Sequence, residues 1–335
     1  MKQRRLGASG LCVSEICLGV MMFGDRTDET EAAKIVASAR DAGVNFVDTA
    51  NQYAGGKSEA MLGKLIKTDR NRWIVASKCG NTGLPAPEDQ SLSRREIVSA
   101  LDASLGRLGM DHVDIYYFHI DDEHTRLEES LVAIGDMIRA GKTRYFGLSN
   151  FRGWRIAQVA LLCDRLGVPR PVVCQPHYNA MNRMPEVEVI PASAAFGLGV
   201  VPYSPLARGV LTGKYQPGSA PPAESRAGRK DKRMLQTELR EESMVLAQTI
   251  RAHAEKRGMT AGQFALNWVL NNRLVSSVLA GPRTMEQWDG YLGALKHTFS
   301  VEDEALVDGL VAAGHPSTPG YSDPKYPIAG RPVTG

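Results

Sequence analysis

Eight short apolar runs, rich in β-branched and aromatic residues, recur at roughly 30-residue intervals along this chain, and no other feature limits its fold so tightly. They are Ile16–Val20, Asn45–Thr49, Trp73–Lys78, Val113–His119, Tyr145–Ser149, Val172–Gln175, Val200–Ser204 and Ser276–Ala280. Several are apolar without alternation, as strands are when helices cover both faces of their sheet. The segments between them have helical period. Ala32, Ile35, Val36 and Ala39 make one apolar stripe, and Ile97, Leu101, Leu105 and Leu108 make another. Asp28 with Glu31, Ser93 with Glu96, Thr125 with Glu128 and Thr260 with Gln263 are spaced as capping boxes, and Gly43, Gly109 and Gly141 stand where the corresponding helices should stop.

Eight strands alternating with helices in an unbroken rhythm predict a closed parallel (β/α)8 TIM barrel. A doubly wound sheet with a second domain is the competing arrangement. No Gly/Pro/Ser linker divides the chain midway and no GxGxxG follows the first run, so the 335 residues are expected to form a single barrel domain. Two stretches break the rhythm. Residues from about 206 to 240, with Gln216-Pro217-Gly218 and the charged run Arg226 to Arg233, predict a long loop after the seventh strand whose basic residues form a solvated face. The tail from about 315 to 335 carries Pro316, Pro319, Pro324, Pro327 and Pro332 and should be extended.

A net charge of +3 gives no global field that argues for nucleic acid or membrane surfaces, so neither is expected as a partner, and it would not repel an anionic ligand. The five scattered cysteines suggest reduced thiols, no CxxC pair suggests a metal, and no apolar run reaches the roughly 18 residues of a membrane span; a cytoplasmic protein is expected.

In such a barrel the chemistry lies at the C-terminal strand ends. Those positions hold Gly19, Asp48, Lys78, His119, Ser149-Asn150, Gln175 and Tyr203-Ser204, polar where the preceding runs are apolar, and Tyr53 lies in the loop beyond Asp48. A phenol is a poor proton donor and acceptor at neutral pH, but a nearby ammonium favours its phenolate, and an aspartate would keep that ammonium charged and in place. Asp48 and Lys78 could so convert Tyr53 into a general acid and base, with His119 orienting the substrate oxygen. None of these side chains donates hydride, so reduction needs a cofactor, and nicotinamide is the natural one. Taken singly, Asp48 and Lys78 also suit a rim salt bridge, Tyr53 a loop anchor and His119 a core histidine. Met21, Met22 and Phe23, past the first run, are candidates for an apolar substrate wall.

The segments Asn45-Phe46-Val47-Asp48-Thr49-Ala50, Tyr53 with Gly56-Lys57-Ser58-Glu59, Ser77-Lys78, His119, Gly147-Leu148-Ser149-Asn150, Gln175 and Tyr203-Ser204-Pro205-Leu206 with Gly209-Val210-Leu211 resemble the aldo-keto reductases. The resemblance runs from Leu6 to about Leu295. It implies an NADPH-dependent (NADPH/NADP+) reductase of a small carbonyl substrate, with Asp48, Tyr53, Lys78 and His119 as the catalytic tetrad. It further implies that Ser149, Asn150 and Gln175 hold the nicotinamide carboxamide and that Tyr203 stacks on the ring. Gly19, Val20 and Met21 are implied on the cofactor's path along the rim, and Ser204, Leu206, Gly209 and Lys214 along the pyrophosphate. Gly281, Arg283, Thr284 and Gln287 match the stretch for the adenosine 2′-phosphate. A helix start and a permanently charged guanidinium there suit a phosphate independently. Where family members often carry an acidic residue and Asn, this chain has Gly290 and Tyr291. The same barrel also serves as the cofactor-sensing β-subunit of potassium channels, which gives a second expectation, a non-catalytic or weakly catalytic sensor.

Overall fold

A computed structural model of the chain describes residues 1–81 and 92–327, so the end of the tail, Pro332 included, lies outside the described residues. These residues group into two compact units. The first comprises residues 1–177, 185–203 and 270–292, and the second comprises 178–184, 204–269 and the chain from 293 onward.

The first unit contains every strand. A hairpin of β1 (Gln3–Arg5) and β2 (Cys12–Ser14) precedes eight parallel strands: β3 (Ile16–Gly19), β4 (Phe46–Asp48), β5 (Ile74–Cys79), β6 (Val113–Phe118), β7 (Thr143–Ser149), β8 (Val173–Gln175), β9 (Gly199–Val200) and β10 (Val278–Ala280). From β3 to β9 each strand pairs with the next, and β10 returns to pair with β3. The ring is completed by a parallel bridge between Val200 and Val275 and by the amides of Ser276 and Leu279 donating to Val200 O and Pro202 O at 2.8 and 3.0 Å. This is the expected (β/α)8 barrel. In chain order α1 (Glu29–Asp41), α2 (Lys57–Ile66), α3 (Arg94–Leu108), α4 (Leu127–Arg139), α5 (Gly153–Leu166) and α6 (Val189–Ala195) follow β3 to β8 in turn, and α10 (Met285–Ala294) follows β10.

Nine wholly buried side chains form a core cluster: Cys17, Phe46, Ala76, Ile115, Tyr117, Val173 and Val201, with Leu6 and Val13 from the hairpin. Removing each of the larger ones from water stabilises the fold by about 1.5–3 kcal/mol. Gly147 is required here by space: a Cβ would lie 2.5 Å from Val173 Cγ1 and 2.6 Å from the Tyr117 ring. The stripes read from the sequence are the buried faces of α1 and α3. Asp28 caps α1 through the Glu31 amide at 2.9 Å, and Ser93 caps α3 through the Glu96 amide at 3.3 Å. Thr125 does not cap α4. The Asp122 carboxylate takes both its amide and its hydroxyl, at 3.0 and 2.7 Å, so Arg126 stands uncapped at the helix start.

The second unit holds α7 (Lys232–Thr237), α8 (Glu241–Lys256), most of α9 (Ala261–Asn271) and α11 (Val301–Leu310). Thr260 and Gln263 form a full capping box ahead of α9. The stretch 206–240 is more ordered than a plain loop, because Ala207–Thr212 forms a 3-10 turn and Asp231 caps α7 through the Met234 amide. Its arginines are not a solvated face: Arg226 pairs with Asp231, Arg229 with Glu224 and Arg233 with Asp323, and only Lys230 and Lys232 of that basic set are exposed. The described part of the tail has no helix, but it folds through turns, with Arg240 3.9 Å from the centre of the Tyr321 ring.

Candidate active site

Strand register staggers the polar strand ends into one rim. Asp48 ends β4 opposite Ala76, Lys78 on β5 pairs with Tyr117, and the amide of His119, next after β6, donates to Cys79 O at 2.9 Å. The Lys78 ammonium is wholly buried; it donates to Asp48 Oδ1 and, at 2.7 Å, to Thr49 O. Gln175 Nε2 donates to the other Asp48 oxygen at 3.0 Å. Burial acts to discharge Lys78, but the Asp48 carboxylate and Tyr53 outweigh it and hold its pKa above the usual lysine value.

Tyr53 reaches this group because the chain turns sharply after β4. Its amide donates to Ala50 O at 3.1 Å, and Ala54, Gly55 and Gly56 all have positive φ, folding residues 53–56 back before α2. Ala54, with φ of 51°, carries a strain that glycine would not. The Lys78 ammonium lies 5.0 Å from the centre of the Tyr53 ring, and the His119 ring meets Tyr53 edge-on, 5.9 Å between centres at 83°. The four residues are thus brought together from positions as far apart in sequence as 48 and 119.

A second network, which the sequence reading missed, fixes that turn. The wholly buried Glu59 accepts from Ser77 Oγ at 2.5 Å and from Arg107 Nε at 2.7 Å, and the Arg107 side chain packs where a Cβ on Gly56 would stand. Ser58 Oγ donates to Val20 O at 2.7 Å and accepts from Thr49 Oγ1 at 2.9 Å. The motif Ser58-Glu59 is visible in the sequence, but nothing there pairs it with Arg107.

The residues expected around a nicotinamide form a second cluster in the same unit. Asn150, at a φ of 61°, donates to His119 O and Ser149 Oγ at 2.9 and 3.0 Å and accepts from Tyr203 Oη at 2.8 Å; Ser149 Oγ donates to Gln175 O at 2.9 Å. Tyr203 stacks on His177, a residue the sequence did not mark, with 5.2 Å between centres and 16° between planes. Gly19 ends β3 and Gly281 follows the end of the adjacent β10, with Gly19 O 3.7 Å from a Cβ built on Gly281. Val20 donates to Asp48 O at 3.0 Å, Met21 and Met22 present surface, and Phe23 is wholly buried. Thr284 caps α10 through the Gln287 amide, and Gln287 Oε1 accepts from Arg283 N at 2.9 Å. Gly290 is exposed and Tyr291 half-buried farther along α10.

Ser204, Leu206, Gly209 and Lys214 belong to the second unit. Within it, Asn179 Nδ2 donates to Ser204 O at 3.0 Å, Leu206 O accepts from Gly209 N at 2.8 Å, and Lys214 Nζ lies 3.0 Å from where a Cβ of Gly209 would be. At a φ of 101° Gly209 takes a backbone conformation that L side chains rarely adopt, and a Cβ there would crowd the Lys214 ammonium. Within the first unit, the hydroxyl of Ser149 and the amides of Asn150 and Gln175 beside the Tyr203 ring suit a nicotinamide.

The family profile of the aldo/keto reductases matches residues 15–312. The chain belongs to the aldo/keto reductase family. It is 38% identical over 285 residues to a probable voltage-gated potassium channel subunit beta of Arabidopsis thaliana, covering 84% of this chain and 87% of that protein. It is 32% identical over 326 residues to the L-glyceraldehyde 3-phosphate reductase of Escherichia coli K12, covering 94% and 93%. An uncharacterized oxidoreductase of Bacillus subtilis is 32% identical over 331 residues, covering 95% and 98%. Family membership supports oxidoreductase chemistry on carbonyls with a nicotinamide cofactor. Among the described residues no helix is long and apolar enough to cross a membrane.

Proposed function

We propose that this protein reduces an aldehyde or ketone to its alcohol, reversibly, with NADPH as the cofactor and Tyr53 as the proton donor. One observation carries the reading: a wholly buried lysine, paired with Asp48, faces the ring of a half-buried tyrosine at the barrel rim. A bare structural ion pair would not need that tyrosine, nor the left-handed turn that brings it there.

The bound cofactor would supply hydride to the carbonyl carbon. Tyr53 would donate a hydrogen bond to the carbonyl oxygen and pass its proton as the alkoxide forms. Lys78 stabilises the resulting phenolate, and Asp48 keeps the ammonium charged and aimed. His119, edge-on to Tyr53, would orient the same oxygen. Ser149, Asn150 and Gln175 would hold the carboxamide, Tyr203 the ring, and Arg283 with Thr284 the 2′-phosphate. The likeness to L-glyceraldehyde 3-phosphate reductase favours a small aldehyde among the substrates. All five cysteines are free, which suits the cytoplasm.

Tyr53→Phe should lower kcat by roughly 10²–10⁴-fold in NADPH-linked aldehyde reduction while leaving NADPH binding nearly intact. Near-normal turnover by that variant would sink the mechanism. A second reading, a cofactor-sensing subunit, draws on the likeness to the plant channel subunits. It predicts NADPH binding without steady-state oxidation over a broad carbonyl panel.

A further inference from the structure

The loop that would meet the cofactor's 2′-phosphate already holds a carboxylate. α10 starts at Met285, and its first amide donates to Glu31 Oε1 at 2.7 Å, across 254 residues of sequence. Thr27 Oγ1, four residues before Glu31, donates to Arg283 O at 2.9 Å. The turn ahead of α1 and its first residues therefore clasp the segment Arg283–Met285 from one side.

An internal anion thus occupies part of the positive helix end on which an incoming phosphate would depend. Glu31 is only weakly compensated: among the described residues its ion pair is with Lys34, 3.6 Å away and with 61% of its side chain exposed. Arg283 attracts a phosphate to this corner, whereas Glu31 repels it and has already taken one of its amides.

We propose that Glu31 is a cofactor-specificity residue, weakening the grip on the 2′-phosphate and so narrowing the preference for NADPH over NADH. The proposal rests on the reading that this chain binds NADPH with Arg283 at the phosphate. It differs from a purely structural clasp in one respect: its effect follows charge and requires the 2′-phosphate.

The test is equilibrium binding of NADPH and of NADH, read by quenching of intrinsic fluorescence, to the unmodified protein and to Glu31→Gln. Glutamine keeps an oxygen to accept the Met285 amide and removes the charge. The variant should bind NADPH roughly three- to tenfold more tightly and NADH within about twofold of the parent. Lys34→Ala, which strips the partial counter-charge from Glu31, should weaken NADPH by about twofold and leave NADH alone. Equal shifts for the two cofactors, or no shift in either variant, would overturn the proposal and leave Glu31 a clasp. Failure of the unmodified protein to bind either cofactor would instead overturn the reading on which the proposal rests, and the proposal with it.

Discussion

Replacing Lys78 with methionine removes one ammonium and little volume, and two consequences of different size can be worked from the geometry. The first concerns chemistry. With the 5.0 Å from ammonium to the Tyr53 ring centre as the separation, a unit charge in a medium of effective dielectric about 20 stabilises a developing phenolate by about 3 kcal/mol. That corresponds to a loss of roughly 10²-fold in kcat. Alcohol oxidation, which begins from the phenolate, should lose more than carbonyl reduction. The second concerns folding. Asp48 is left buried with the Gln175 amide as its remaining side-chain donor, and removing one partner of a buried pair costs roughly 3–5 kcal/mol before the carboxyl protonates. Pairing Lys78→Met with Asp48→Asn separates the two, because the double variant should regain stability in denaturant melts without regaining turnover. Steady-state kinetics in both directions, beside equilibrium unfolding, make the assay. A kcat within about threefold of the parent in the single variant, or turnover restored in the double, would refute the electrostatic argument.

Two further outcomes follow from other parts of the site. If Arg283 meets the 2′-phosphate as proposed, Arg283→Ala should cost NADPH binding roughly tenfold or more and NADH binding far less, since NADH lacks that phosphate; equal losses in a titration would remove the 2′-phosphate role. Burial pushes the Asp122 carboxyl up, but the amides of Leu92, His124 and Thr125 and the Thr125 hydroxyl outweigh it and hold its pKa below the usual carboxylate range. A folded pKa below the unfolded one gives stability that is present above about pH 4 and lost as pH falls through the folded value. Thermal melts of Asp122→Asn should therefore lose less stability than the parent on going from about pH 5 to about pH 2, and parallel curves would contradict this assignment.

The barrel was legible because its strands are buried on both faces and so cannot alternate: β3, β4 and β8 are apolar or small residues up to their last positions. Their polar ends were legible for the same reason, as exceptions inside apolar runs. The hairpin of Gln3–Arg5 with Cys12–Ser14 gave no such signal, because three residues cannot show a period and the first strand carries two arginines. The Thr125 cap failed on a local competitor, Asp122, which binds the same hydroxyl. Glu59 with Arg107, and Glu31 with Met285, lay beyond reach for another reason. Their partners are 48 and 254 residues away, and only a folded barrel makes them neighbours. The arginines of 226–233 looked solvated because a charge run reveals its own charges and not the carboxylates, such as Asp323, that meet it.

Closure of the ring by β10 against β3 has a consequence for how the protein comes into being. Val278 pairs with Ile16, and Arg4, ahead of that strand, donates to Leu270 O and Val275 O across 266 and 271 residues. While the ribosome is still adding the first 270 or so residues, β3 has an open edge and the apolar floor contributed by Leu6 and Val13 has no complete cavity to seal. The nascent chain must carry that exposed edge through most of its synthesis, so its yield in a cell should depend on translation rate and chaperone supply more than the stability of the finished barrel would suggest.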